Sequence, residues 1–83
     1  MNLSIVRKGN QVAVEFGRAL RSQRRASDIS QEALALAADV DRTFVSQMER
    51  GVRQPTLTTL WKLATALKVK PSILVVKMES RLK

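Results

Sequence analysis

Residues 30–51 read SQEALALAADVDRTFVSQMERG, and two short amphipathic helices fit this stretch with only a turn between them. Ser30 is a good residue to open the first, since its hydroxyl can accept from an orphan amide of the first turn. Ile29 before that cap and Leu34 at the fourth helical position form a hydrophobic staple. Asp41 repeats the arrangement, with Val40 and Val45 as the flanking pair. Leu34, Ala35, Ala38, Val40, Val45 and Met48 recur at helical spacing and define a common buried face. Ala35 is small, as a close helix crossing requires. The opposite face of the second helix carries Arg42, Thr43, Ser46, Gln47 and Arg50, which hydrogen-bond well and are not needed for packing. A helix that presents donors and acceptors outward suits the major groove of duplex DNA. An ordinary solvated helix face is the plainer reading of the same residues.

The run from Gln31 to Gly51, followed by Arg53, Pro55, Leu57 and Leu60, resembles the phage repressor and Cro-like helix-turn-helix family, also called the XRE family. Within it, DRTFVSQMERGVRQPTL is similar to the restriction–modification controller proteins, small dimeric regulators that bind DNA next to their own promoters. The resemblance covers about residues 16–75. It implies an all-α, five-helix, lambda-repressor-like domain whose second and third helices bind DNA. It also implies a partly buried structural pair between Arg24 and Glu49, tying the first helix to the end of the third. Relatives commonly carry glycine in the turn between the motif helices and at the end of the preceding helix. Here those positions are Asp39 and Asp28, and aspartate tolerates a left-handed backbone at a strain of roughly 1 kcal/mol.

Eighty-three residues allow one domain with a modest core. Without cysteine there is no disulfide or thiolate metal site, and without histidine the usual general base and zinc ligand are gone. With no paired carboxylates in a pocket-forming pattern, an enzyme is disfavoured and neither cofactor nor metal is expected. Three aromatic residues and no single-strand platform disfavour RNA. No apolar run approaches the ~18 residues of a membrane span. The opening MNLSIVRKG is too short in apolar length for a secretory signal, so the expected location is the cytoplasm, at the nucleoid.

The formal net charge of +8 is unevenly spread. Residues 1–25 carry +5, residues 26–50 carry −3 and residues 51–83 carry +6. Basic ends flanking a motif whose acids are mostly caps, first-turn residues or core pairs favour a polyanionic partner.

Residues 1–9 are expected to be a frayed arm, with Leu3, Ile5 and Val6 available to a partner and Arg7 and Lys8 to a DNA backbone or a minor groove. Asn10 then caps a first helix to about Arg25, with Val12, Phe16, Ala19 and Leu20 buried and Gly17 a tolerated weak point. Arg18, Arg21 and Arg25 are solvated or phosphate-facing. Gly51 suits a left-handed helix terminus, and residues 52–55 form a loop carrying Arg53. A fourth helix from near Thr56 presents Leu57, Leu60, Leu63, Ala64 and Leu67 to the core, with Trp61 beside the stripe as a core or interface residue. Pro71 fits the first position of a last helix. That helix is apolar on more than one side, which points to a symmetric dimer through Ile73, Leu74, Val76 and Met78; a frayed tail after about Lys77 is the alternative. The domain proper is placed at residues 10–77, and residues 78–83 end the helix or form a tail.

The expected function is sequence-specific binding of a double-stranded DNA operator, an inverted repeat, by a homodimer that regulates transcription, with RNA polymerase as a further partner. Arg42, Thr43, Gln47 and Ser46 are the candidates for base contact, Arg42 as a fork on guanine O6 and N7. Gln31, Arg50 and Arg53 are assigned to phosphates. An antitoxin-type or partner-docking protein on the same fold is the rival, fed by Trp61 and the apolar last helix.

Overall fold

The computed structural model describes residues 3–82, with side chains from Gln11 onward. Five helices follow one another: α1 (Leu3–Ala26), α2 (Gln31–Ala38), α3 (Arg42–Glu49), α4 (Leu57–Ala66) and α5 (Pro71–Arg81), with no strand among the described residues. The fold is therefore all-α, with α1 packed on α5 and α3, and α2 packed on α3 and α4.

At eight residues each, α2 and α3 are too short to be stable alone and exist through capping and packing. Ser30 Oγ accepts from the amide of Ala33 at 3.0 Å, and Thr56 Oγ1 does the same for Thr59 at 3.1 Å, so α2 and α4 begin where their caps place them. Asp41 occupies the cap position of α3, yet its exposed carboxylate makes no cap hydrogen bond. The staple residues Val40 and Val45, packed on the core, orient the start instead.

Helices α1 to α4 all end alike. A left-handed residue stands at Asp28 (φ 56°), Asp39 (φ 57°), Gly51 (φ 76°) and Lys68 (φ 60°). The next residue's amide reaches five residues back each time: Ile29 to Arg24, Val40 to Ala35, Val52 to Gln47 and Val69 to Ala64. The left-handed residue's own amide reaches three back, which together form a Schellman motif. Ile29, Val40 and Val69 pack on the core, so three of the four turns add an apolar contact, while Val52 stays exposed.

Leu20, Leu34, Val45, Met48, Leu63 and Leu74 are fully buried, and every helix contributes at least one of them. Each such side chain is worth roughly 1.5–3 kcal/mol of burial. Ala35 and Ala38 are buried as well, which lets the motif helices approach closely.

Several expectations change. Helix α1 begins at Leu3, well before Asn10, because adding residues to a helix already nucleated costs little and the weak propensity of one asparagine does not stop it. The side-chain roles expected for Leu3, Ile5, Val6, Arg7 and Lys8 lie outside the described residues. Gly17 is more than a weak point: a Cβ there would sit 2.2 Å from the Met48 carbonyl oxygen, so only glycine lets α1 meet the end of α3. Leu57 is 85% exposed rather than core, since it occupies the first helical position and overhangs the edge that Leu60 and Leu63 fill. Trp61 is 65% exposed, beside Ala37, Ala38 and Thr65 in a shallow depression.

Candidate nucleic-acid interface

The third helix is held at its far end. Glu49, buried among α1 and α2, accepts from Arg24 twice: Nε to Oε2 at 2.6 Å and Nη2 to Oε1 at 3.0 Å. Gln31 Nε2 donates to the same Oε1 at 3.0 Å, and Arg24 Nη1 donates to the Ile29 carbonyl at 2.9 Å. One carboxylate thereby fastens α1 and the start of α2 to the end of α3, while Arg24 also holds the turn after α1. The hydrogen bond to Glu49, aided by its charge, raises the Arg24 pKa above its ordinary value against the opposing effect of burial. The pair that the resemblance implies is present as a bidentate fork.

Gln31, expected to bind a phosphate, sits at the first position of α2. One of its amide hydrogens is engaged by Glu49, which leaves the other and the carbonyl oxygen for a ligand. Its place in the Glu49 cluster was not visible in the sequence, because the partner lies eighteen residues away.

The opposite side of α3 faces outward. Arg42 and Thr43 are exposed in its first turn, Ser46 and Gln47 are half-buried in the next, and Val45, Met48 and Glu49 point inward. Among the described residues no hydrogen bond or salt bridge involves the side chains of Arg42, Thr43, Ser46 or Gln47. Arg50 is exposed where α3 ends. Arg53 is exposed in the following loop, its guanidinium carbon 4.8 Å from the centroid of the Phe44 ring. This cation–π contact fixes a long side chain beside the helix; Phe44, absent from the sequence reading, supplies the platform.

The residues expected at a dimer interface separate. Ile73 and Val76 are exposed on α5, whereas Leu74 is fully buried and Met78 packs on the core. Leu74 is corrected to a core residue, since α5 needs one side to cover the domain. Val75 and Leu57 join the exposed apolar set. No described helix is long and apolar enough to cross a membrane, and the described residues hold no cluster of three metal-ligating side chains.

The helix-turn-helix family HTH_3 matches residues 20–74. Control protein C.BamHI of Bacillus amyloliquefaciens is 39% identical over 67 residues, covering 80% of this chain and 83% of its own. The restriction–modification controller protein C.AhdI of Aeromonas hydrophila superposes with a TM-score of 0.73 at 45% identity, over 75% of this chain and 94% of the other. The clp gene regulator ClgR of Corynebacterium glutamicum shares the fold alone, with a TM-score of 0.82 at 24% identity over 87% and 94% of the two chains. With five helices in this order, a braced third helix and these likenesses together, the chain belongs to the HTH_3 helix-turn-helix family.

Proposed function

We propose that this chain is a sequence-specific double-stranded-DNA-binding regulator of transcription, of the controller-protein kind, and that it acts as a homodimer. The observation that carries the reading is the outward face of α3: Arg42 and Thr43 exposed, Ser46 and Gln47 beside them, on a helix rigidly held from behind by Glu49. A preorganised helix with unengaged polar groups loses little entropy on entering a major groove. Arg42 reads guanine, and Thr43, Gln47 and Ser46 complete the base contacts. Gln31, Arg50 and Arg53 take phosphates. Leu57, Ile73, Val75 and Val76 supply apolar surface for a two-fold interface. The work is done in the cytoplasm at the nucleoid, by binding rather than catalysis, with RNA polymerase as the machinery it acts on.

Selection from a random duplex pool tests the reading. Enriched sequences should contain two inverted half-sites about one helical turn, ~34 Å, apart. Enrichment without inverted symmetry removes the two-fold dimer, and no enrichment removes sequence-specific binding. The exposed Trp61 favours a second reading, docking to a partner protein in the manner of an antitoxin; retention on DNA at moderate salt counts against it as the main activity.

A further inference from the structure

A second basic surface lies away from the outward face of α3. Arg18, Arg21 and Arg25 follow one another at spacings of three and four along α1, so their side chains form one row. Arg81, from the last turn of α5, joins them around a shallow depression whose remaining wall is Ser22. All four arginines are exposed. Glu15 Oε2 accepts from Arg18 at 2.9 Å, and it is the one carboxylate with a salt bridge to the group among the described residues. Gathering like charges this way disfavours the folded state slightly, a sign that the surface meets an anion.

We propose that Arg21, Arg25 and Arg81, with Arg18, form a phosphate-binding surface that grips duplex DNA flanking the half-site read by α3. This rests on the duplex reading above and extends it to the backbone outside the operator. Guanidinium forks match phosphate geometry and stay charged at any working pH. The walls of the depression contain no apolar residue, whereas a protein partner's site has an apolar centre. The position also fits. Gly17, next to Arg18, abuts the carbonyls of Met48 and Glu49, and Arg24, next to Arg25, is bonded to Glu49. The row therefore belongs to the stretch of α1 that packs against the end of α3, and the proposal places the flanking duplex along it.

The test compares a minimal duplex holding the two selected half-sites with the same duplex lengthened by about ten base pairs of unrelated sequence at each end. Lengthening should raise wild-type affinity about tenfold, and Arg21→Gln/Arg25→Gln/Arg81→Gln should abolish that gain while binding the minimal duplex as wild type does. On the long duplex the plot of log K against log salt should flatten by about one unit per lost contact. Arg21→Lys/Arg25→Lys/Arg81→Lys should restore most of the gain, showing that charge rather than local packing is responsible. If wild type gains nothing from the flanks, or the glutamine variant gains as much, the proposal is overturned. Calorimetric titration with tripolyphosphate separates the other source of phosphate: tight binding without any flank effect assigns the surface to a free anion and also overturns it. Failure of wild type on the minimal duplex itself would instead strike the assignment of α3.

Discussion

Glu49 and Arg42 stand at opposite ends of one eight-residue helix and illustrate two uses of charge. Glu49 is 7% exposed and accepts three hydrogen bonds from two other helices; Arg42 is exposed and, among the described residues, bonded to none. A buried charge with both oxygens hydrogen-bonded defines where the helix sits. An exposed charge with a free fork costs the fold almost nothing and remains available for a ligand. The inner end thus serves stability and the outer face is the one proposed for recognition, so substitutions at the two places should fail in different ways.

The largest effect should come from Glu49→Gln, which leaves the Arg24 guanidinium near-buried without its counter-charge. It should lower unfolding free energy by about 3 kcal/mol, whereas Arg42→Ala should stay within about 0.5 kcal/mol. Urea unfolding of both variants measures this, and equal losses would erase the distinction between the two ends. Gly17→Ala comes next: its Cβ would meet the Met48 carbonyl oxygen at 2.2 Å, so α1 must move off α3 at about 2 kcal/mol. A melting temperature unchanged by that methyl would show that the junction is looser than drawn.

Leu57→Glu should leave the monomer's stability intact, since Leu57 is exposed, but weaken self-association about tenfold, or ~1.4 kcal/mol. Sedimentation against concentration reads the difference. The smallest effect is favourable. Asp39→Gly relieves a left-handed aspartate and should add about 1 kcal/mol of stability without altering DNA affinity. A destabilised Asp39→Gly would mean that the aspartate side chain does more in the turn than its backbone angle suggests.

Much of this architecture is legible in the sequence where the signal is local. Ser30, Thr56 and Pro71 mark helix starts through chemistry within one turn, and Gly51 marks an end through its freedom at positive φ. Lys68 adopts the same left-handed conformation with nothing in its side chain to announce it. Helix α5 is apolar around most of its surface, so periodicity could not tell buried Leu74 from exposed Ile73 and Val76. Leu57 lies on the apolar stripe of α4 by spacing, but a stripe does not say where the core stops. The Arg24–Glu49 pair came from family resemblance, and Gln31 joining it depends on the crossing of α1, α2 and α3, which no local pattern encodes. At the candidate interface the outward polar set of α3 is readable by elimination, since its inward positions apart from Glu49 are apolar. The contact of Arg53 with Phe44 required the loop to fold back.

The central claim is that Arg42 reads a base while Arg53 holds the backbone. Titrating Arg42→Ala and Arg53→Ala against cognate and scrambled duplexes at several salt concentrations tests it most directly. Arg42→Ala should cost about 1–3 kcal/mol on the cognate site alone and relax the preference at one base pair per half-site. Arg53→Ala should weaken both duplexes by a similar factor and flatten the salt dependence by about one unit. Equal weakening of cognate and scrambled DNA by Arg42→Ala would contradict the assignment and make Arg42 a phosphate contact.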